Sequence, residues 1–379
     1  MDFLIRRIFI LRPDNLGDLV LFSGSLRFIR KHWPKAKITL CVRHFGVELF
    51  RNCPYVDNLV LYESLINDLT AEGRLNWMPK IKGCDRIGSW FRKKIPIIAF
   101  WKYRSDIALL PVVSPMPEYH GIMLRIPSPK KISMFGNHCN QTPEMDKIVR
   151  SCYTKQMDVS NMPWDYPELS ANKRFLEFIG INLPNVEIHP ELWTTDDDER
   201  WAKNRIPIHG DHLILGVAPS KASNLKHNLP SEWWHNVLKS ISHKKVILVL
   251  IGSGQDRNVC EGIQNILNNS DNPHQVINLC SITSIGQSIE CMRLCDALIC
   301  QDTAALHMAV ALKKPVLGIV GGGHFGRFFP WGDSSKTKVL HKNMDCYGCN
   351  WQCKYETLRC IQELEPSSAI KLFNELKII

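Results

Sequence analysis

Short apolar runs, each followed by a segment with helical spacing, fall into two series along the chain. In the first, Arg7–Leu11 reads as a strand and Leu16–His32 as a helix carrying Leu19, Phe22, Leu26 and Ile29 on one face. Lys37–Val42 and Val56–Tyr62 are the next strands. From Glu63 to Arg104 the period blurs into a basic, aromatic-rich stretch, and strands resume at Asp106–Leu110 and Lys131–Met134. Strand, helix and strand in this order predict a parallel sheet with right-handed crossovers.

Residues 137 to 205 hold Pro163, Pro167, Pro184 and Pro190 with few strand-like runs, which suits the tail of one domain and a linker. The second series begins at His212. Leu213–Val217, Lys245–Ile251, Val276–Leu279, Ala297–Cys300 and Pro315–Val320 are strands separated by helical segments. The expected fold is therefore α/β with two doubly wound, Rossmann-like domains: 1–185, a linker at 186–210, and 211–379 ending in a cysteine-rich tail.

Length agrees, because 379 residues exceed what one hydrophobic core usually serves. The longest apolar stretches, Val246–Ile251 and Val316–Val320, are far shorter than the ~20 residues of a membrane span. The N-terminus lacks a basic region ahead of its apolar run and a small-residue cleavage site, so a cytoplasmic protein is expected. A net charge of +10 favours an acidic partner, whether nucleic acid, anionic lipid or phosphorylated sugar. No zinc-finger spacing with paired histidines and no RNP-type aromatic motif occurs, so nucleic acid is not the expected partner.

Two aspartates stand where a strand turns into a helix: Asp18 in Asn15-Leu16-Gly17-Asp18, and Asp302 in Gln301-Asp302-Thr303-Ala304-Ala305-Leu306-His307. In open α/β sheets ligands bind beyond the carboxyl ends of strands, where helix N-termini aim N–H groups at them. The two joints therefore read as half-sites. Gly17 lets the backbone turn and a ligand approach, and Arg12 stands near enough in sequence to hold an anion. Asp18 could equally cap its helix. Small residues after Asp302 leave the N–H groups of that turn accessible to a diphosphate. The loop Pro219–Pro230, with Ser220, Lys221 and Lys226, suits a phosphate neighbourhood or a solvated surface loop. Gly321-Gly322-Gly323 suits backbone approach to phosphate or plain flexibility. Asp196-Asp197-Asp198 has the spacing of some metal-dependent sugar transferases, yet after Thr194-Thr195 it reads better as an acidic first helical turn.

Fourteen cysteines are present. Most, including Cys41, Cys280, Cys291, Cys295 and Cys300, lie in apolar surroundings and read as core residues. Cys346, Cys349, Cys353 and Cys360 differ: their spacing allows four thiolates to converge on a structural zinc or iron, with reduced cysteines or local disulfides as the plainer reading. The basic aromatic stretch Arg86–Arg104 suits peripheral contact with a membrane or an ordinary surface helix pair broken at Pro96.

Together these pieces resemble family 9 of the glycosyltransferases, the lipopolysaccharide heptosyltransferases and their relatives. The resemblance rests on the opening strand with Leu16-Gly17-Asp18, on Asn52-Cys53-Pro54-Tyr55-Val56-Asp57, and on Asp302-Thr303 through Leu306-His307. Leu229-Pro230 with Trp233 and Lys314-Pro315-Val316 add to it. It implies a GT-B architecture, an inverting reaction without a catalytic metal or cofactor, a nucleotide-diphosphate sugar as donor, ADP-heptose first, and a lipopolysaccharide core or related acidic glycolipid as acceptor at the inner face of the inner membrane. By that likeness Asp18 is the general base, with Arg12, Asn15 and Gly17 on the acceptor side. Ser220, Lys221, Lys226, Asp256, Asp302, Thr303, Ala304, Ala305 and His307 would hold the donor, Asp256 at its ribose. The family's phosphate lysine falls on His227, so Lys226 or Lys221 takes that part, and Ala304 replaces a usual glycine. A protein hydroxyl as acceptor, and a GT-B scaffold that binds sugar nucleotide or glycan without catalysis, are the alternatives.

Overall fold

Strands form where the apolar runs lie, because a parallel sheet covered on both faces buries every position of its central members. The computed structural model describes residues 5–71, 98–208, 210, 212–220, 227–241, 245–269, 274–376 and 378. The chain divides into two units, Met1–Pro163 with Leu169–Ile188, and Trp164–Glu168 with His189–Ile379. Lys221, Lys226 and most of the Arg86–Arg104 stretch lie outside the described residues.

The first unit holds β1 (Arg7–Leu11), β2 (Lys37–Val42), β3 (Asn58–Leu61), β4 (Ile107–Leu110), β5 (Lys130–Phe135) and β6 (Lys155–Asp158). They form one parallel sheet in the order β3-β2-β1-β4-β5-β6. The second holds β7 (Leu213–Ala218), β8 (Val246–Leu250), β9 (Gln275–Asn278), β10 (Ala297–Gln301), β11 (Val316–Ile319) and β12 (Thr337–Leu340). Its order, β12-β11-β10-β7-β8-β9, is the same winding read from the opposite edge, again all parallel. In each sheet the strand order reverses at one place, between β1 and β4 and between β7 and β10. Those reversals are where a doubly wound sheet opens a crevice for ligands.

Central strands are buried throughout: all five positions of β8 and of β10, and all four of β4. In the second unit Leu215, Val217, Leu248, Leu250, Ile299 and Leu317 meet Trp234 and Val237 in one core. Each such side chain contributes about 1.5–3 kcal/mol. The helix expected over 16–32 is two: α1 (Leu16–Ser23) and α2 (Ser25–His32), parted at Gly24. The Ser23 hydroxyl donates to the Val20 carbonyl at 2.7 Å, competing with the helical ladder at that point.

Within the stretch read as tail and linker the structure has more order than expected. It holds β6, the helices Pro143–Arg150 and Glu168–Phe178, and the helix Asp196–Arg205. The last begins with a capping box: Thr195 Oγ1 accepts from Asp198 N–H at 3.2 Å and the Asp198 carboxylate accepts from Thr195 N–H at 3.0 Å. The acidic triplet is thus a helix start.

Candidate active site

In the first unit α1 opens directly beyond the carboxyl end of β1, at the strand reversal, and carries Asp18 as its third residue. Asp18 and Gly17 are half-buried and Asn15 is exposed. Asn15 is the N-cap, yet its side chain makes no capping bond. A carboxylate in the first turn sits where the helix dipole favours negative charge.

The loop before α1 is pinned to the neighbouring strand. Arg12 is 1% exposed, and its guanidinium meets the Asp14 carboxylate at 2.7 Å, donates to the Pro111 carbonyl just past β4, and covers the Phe22 ring. Tyr119 adds a hydroxyl bond to the Pro13 carbonyl at 3.3 Å. Arg12, expected to hold an anion, is therefore occupied within its own unit as a staple across the reversal. Tyr119 was not singled out in the sequence, because a buried tyrosine on an apolar helix face carries no motif.

On the second unit Asp302 follows β10, its N–H bonded to the Ile319 carbonyl at 3.0 Å. Thr303 caps the helix Ala304–Ala311 without using its hydroxyl. The first N–H groups of that helix, on Ala304 and Ala305, have no carbonyl one turn back to receive them. Asp302, Thr303, Ala304 and Ala305 are half-buried, and His307 is buried at 4% exposure. The Trp331 indole donates to His307 Nδ1 at 3.0 Å.

β7 is the partner of β10, so the loop after it lies on the same reversal. Ser220 there donates to Asp256 Oδ1, and Asn228 donates to Ser220 Oγ at 3.4 Å. The other oxygen of Asp256 accepts from Ser253 N–H at 2.6 Å and from its hydroxyl at 2.8 Å. Asp256 is 6% exposed and ties the loop after β7 to the turn after β8. Both of its oxygens are engaged inside the chain, which makes it a strut between the two loops and not a side chain held out from them. Gln301, also buried, donates to the His227 carbonyl at 2.9 Å and closes the loop's far end.

The triple glycine has a different use from either one expected. A Cβ on Gly322 would lie 2.4 Å from the Tyr347 ring, and one on Gly323 would lie 2.5 Å from the Trp351 ring. The glycines thus form a seat for two aromatic rings of the cysteine-rich segment. Trp351, at φ 62° in the left-handed region, stacks on His227 with centroids 4.1 Å apart, and its indole donates to His324 Nδ1 at 3.2 Å. The segment Cys346–Cys353 in this way packs, through Trp351, against His227 at the far end of the loop after β7.

Its three cysteines, with Cys360, are the expected metal ligands. None is in a disulfide. Burial pushes the Cys360 thiol up, and the nearby Cys346, Cys349 and Cys353 push it further, so the four share one neighbourhood. The donor set suits a tetrahedral site. Among the described residues, however, no three His, Cys, Asp or Glu side chains gather closely enough to hold a metal ion. The core cysteines behave as expected: Cys41, Cys291, Cys295 and Cys300 are fully buried, and burial raises each thiol.

Two Rossmann-like sheets of identical winding, each with an aspartate at its strand reversal, place the chain in the GT-B class. The sequence profile of glycosyltransferase family 9 (heptosyltransferase) matches residues 123–357, and the chain belongs to that family. The match begins after Asp18, which rests on the fold and the opening motif. Lipooligosaccharide heptosyltransferase 2 of Campylobacter jejuni is 23% identical over 175 residues, 46% of this chain and 54% of that protein. The chain thus spans about half the length of the curated relative. The solved structure of Escherichia coli ADP-heptose lps heptosyltransferase II superposes with a TM-score of 0.68 at 16% identity, covering 97% of each chain. The iron-containing dodecameric glycosyltransferase TibC of enterotoxigenic E. coli H10407 gives 0.52 at 12%, covering 98% of this chain and 76% of that one.

Proposed function

We propose that this protein is an inverting glycosyltransferase that moves a heptose from ADP-heptose to the lipopolysaccharide core or a related acidic glycolipid, acting without a catalytic metal at the inner face of the inner membrane. The observation that carries the reading is the pairing of Asp18 and Asp302 with the two strand reversals, in a member of family 9. Among the described residues no helix is long and apolar enough to cross a membrane, so a glycolipid acceptor would be met at the surface.

Asp18 takes the proton from the acceptor hydroxyl as the new glycosidic bond forms, leaving a neutral carboxyl group. General-base catalysis of this kind contributes about 10²- to 10⁴-fold. The departing nucleoside diphosphate gains charge, which the N–H groups of Ala304 and Ala305 and the ammonium of Lys221 or Lys226 stabilise; this is often the larger effect. Asp302 and Thr303 orient the donor sugar, and His307 donates a hydrogen bond to it or to its phosphates. Asn15 and Gly17 shape the acceptor side, where Arg12 acts through the loop it staples. Ser220 and Asp256 act in the same indirect way, fixing the loop that carries the lysines. A structural zinc or iron on Cys346, Cys349, Cys353 and Cys360 belongs to the same reading; their shared neighbourhood supports it, and the thiols would have to close in around the ion.

The test is Asp18→Asn with ADP-heptose and membrane glycolipid. Transfer is expected to fall by at least about 100-fold. The donor should still stabilise the variant, by about 2.7 kcal/mol at 100 times its Kd. Full transfer by the variant removes Asp18 as base. Transfer to a purified protein but not to glycolipid moves the acceptor to a protein hydroxyl, and donor binding with neither transfer nor hydrolysis in the wild type leaves only a binding scaffold.

A further inference from the structure

We infer that Trp331 is a positioning residue that locks His307 as the neutral tautomer protonated on Nε2, so that His307 serves the donor as a hydrogen-bond donor and not as a proton acceptor. The inference rests on the donor-site reading of the Asp302–His307 joint.

An indole nitrogen only donates, so a bond of 3.0 Å from Trp331 to His307 Nδ1 requires a lone pair there. A proton on Nδ1 would set two donors against each other. The two rings are nearly parallel, 15° apart, and their centroids are 6.2 Å apart, too far for face-to-face overlap. Phe329 meets the same imidazole from another side at 6.3 Å and 65°.

The segment that delivers Trp331 has little room to move. A Cβ on Gly318 of β11 would lie 2.9 Å from the Phe329 ring. One on Gly332, whose φ is +91°, would lie 2.4 Å from Val310 Cγ1. Residues 329–332 therefore press on helix positions 307 and 310, which are neighbours on one helical face. The same device recurs nearby. Trp351 donates to His324 Nδ1 at 3.2 Å, while His324 Nε2 lies 2.6 Å from Asn350 Oδ1, as an N–H on Nε2 requires.

The lock assigns the two histidine nitrogens separate roles. Nδ1 belongs to the fold, and Nε2 presents an N–H. It leaves proton abstraction from the acceptor to Asp18.

The full-length chain, labelled with ¹⁵N only at histidine, reads the tautomer directly through long-range ¹H–¹⁵N couplings, with the His307 signal assigned by its loss in His307→Gln. Protonation on Nε2 alone is expected in the wild type and a mixture of tautomers in Trp331→Phe. In transfer assays Trp331→Phe should lose about 3- to 10-fold in kcat/KM, the worth of one hydrogen bond. His307→Gln, which keeps an amide N–H at the place of Nε2, should stay within about 10-fold of wild type, whereas His307→Asn should lose about 100-fold or more. A wild-type signal with Nδ1 protonated, or His307→Asn outperforming His307→Gln, overturns the inference while leaving transfer intact. A wild type that transfers no sugar overturns the functional reading, and with it the ligand assigned to His307, whatever the tautomer.

Discussion

His120 should make the first unit acid-sensitive in a defined window. It is 1% exposed, with Nδ1 2.6 Å from the Tyr153 hydroxyl and Nε2 2.9 Å from Gln141 Oε1. The Gln141 amide in turn donates to Asp146, whose other oxygen lies 2.9 Å from His138 Nε2. A neutral His120 satisfies this chain, accepting from Tyr153 and donating to Gln141. Burial pushes its pKa down to about 4, against the smaller upward pull of Gln141 and Asp146. Unfolded histidine titrates near ~6.5. Above that value both states are neutral and nothing is lost. As the pH falls from ~6.5 towards ~4 the unfolded chain takes up a proton that the folded one refuses, so stability drops by about 1.4 kcal/mol per unit, roughly 3 kcal/mol in all. Urea unfolding of wild type and His120→Gln, followed by fluorescence at several pH values from 7 to 4, isolates this contribution. Other groups titrate alike in both proteins and cancel in the difference. The variant should be the less stable at pH 7, and the gap should close by roughly 3 kcal/mol on acidification. A gap that stays constant to within about 0.5 kcal/mol refutes the argument, as does an NMR titration placing His120 at an ordinary pKa.

Gly322→Ala sets a methyl against the Tyr347 ring, 2.4 Å from the added carbon, and should destabilise the second unit by about 1–3 kcal/mol. Thermal unfolding measures it, and a Tyr347→Ala background should recover part of the loss. Asp256→Ala strips the Ser220 and Ser253 hydroxyls of their acceptor, so it should raise the KM for the nucleotide sugar and lower Tm together. A normal KM with a lowered Tm would limit Asp256 to folding. Thr195→Ala removes a capping box and should cost about 1 kcal/mol in chemical denaturation, with transfer unchanged. Elemental analysis of the purified chain should find about one zinc or iron per molecule, lost in Cys349→Ser; metal-free wild type with four titratable thiols in the segment would dismiss the centre.

Much of the fold was legible because central parallel strands are buried on both faces and must be written as unbroken apolar runs, as β8 and β10 are. Two of the four edge strands, β6 and β12, escaped notice for the complementary reason. Each buries only one of its four residues, so Lys155–Asp158 and Thr337–Leu340 offer too short an apolar run to stand out, and each gains its ladder from a single neighbour. The break at Gly24 was hidden too, since apolar spacing persists across it while a serine hydroxyl takes a helical carbonyl.

By itself the sequence determined that there are two α/β series, that Asp18 and Asp302 stand at strand-to-helix joints, and that four cysteines share one segment. These are local facts, carried by periodicity and spacing. What the tertiary structure decided is which partner each side chain has. It turned Arg12 into a staple on Pro111, Asp256 into a strut between two loops, the triple glycine into a seat for Tyr347 and Trp351, and Trp331 into the partner of His307. Such contacts join strands that lie side by side but far apart in the chain, and a hydrogen bond or a ring contact depends on ångström-scale placement that no one-dimensional pattern records.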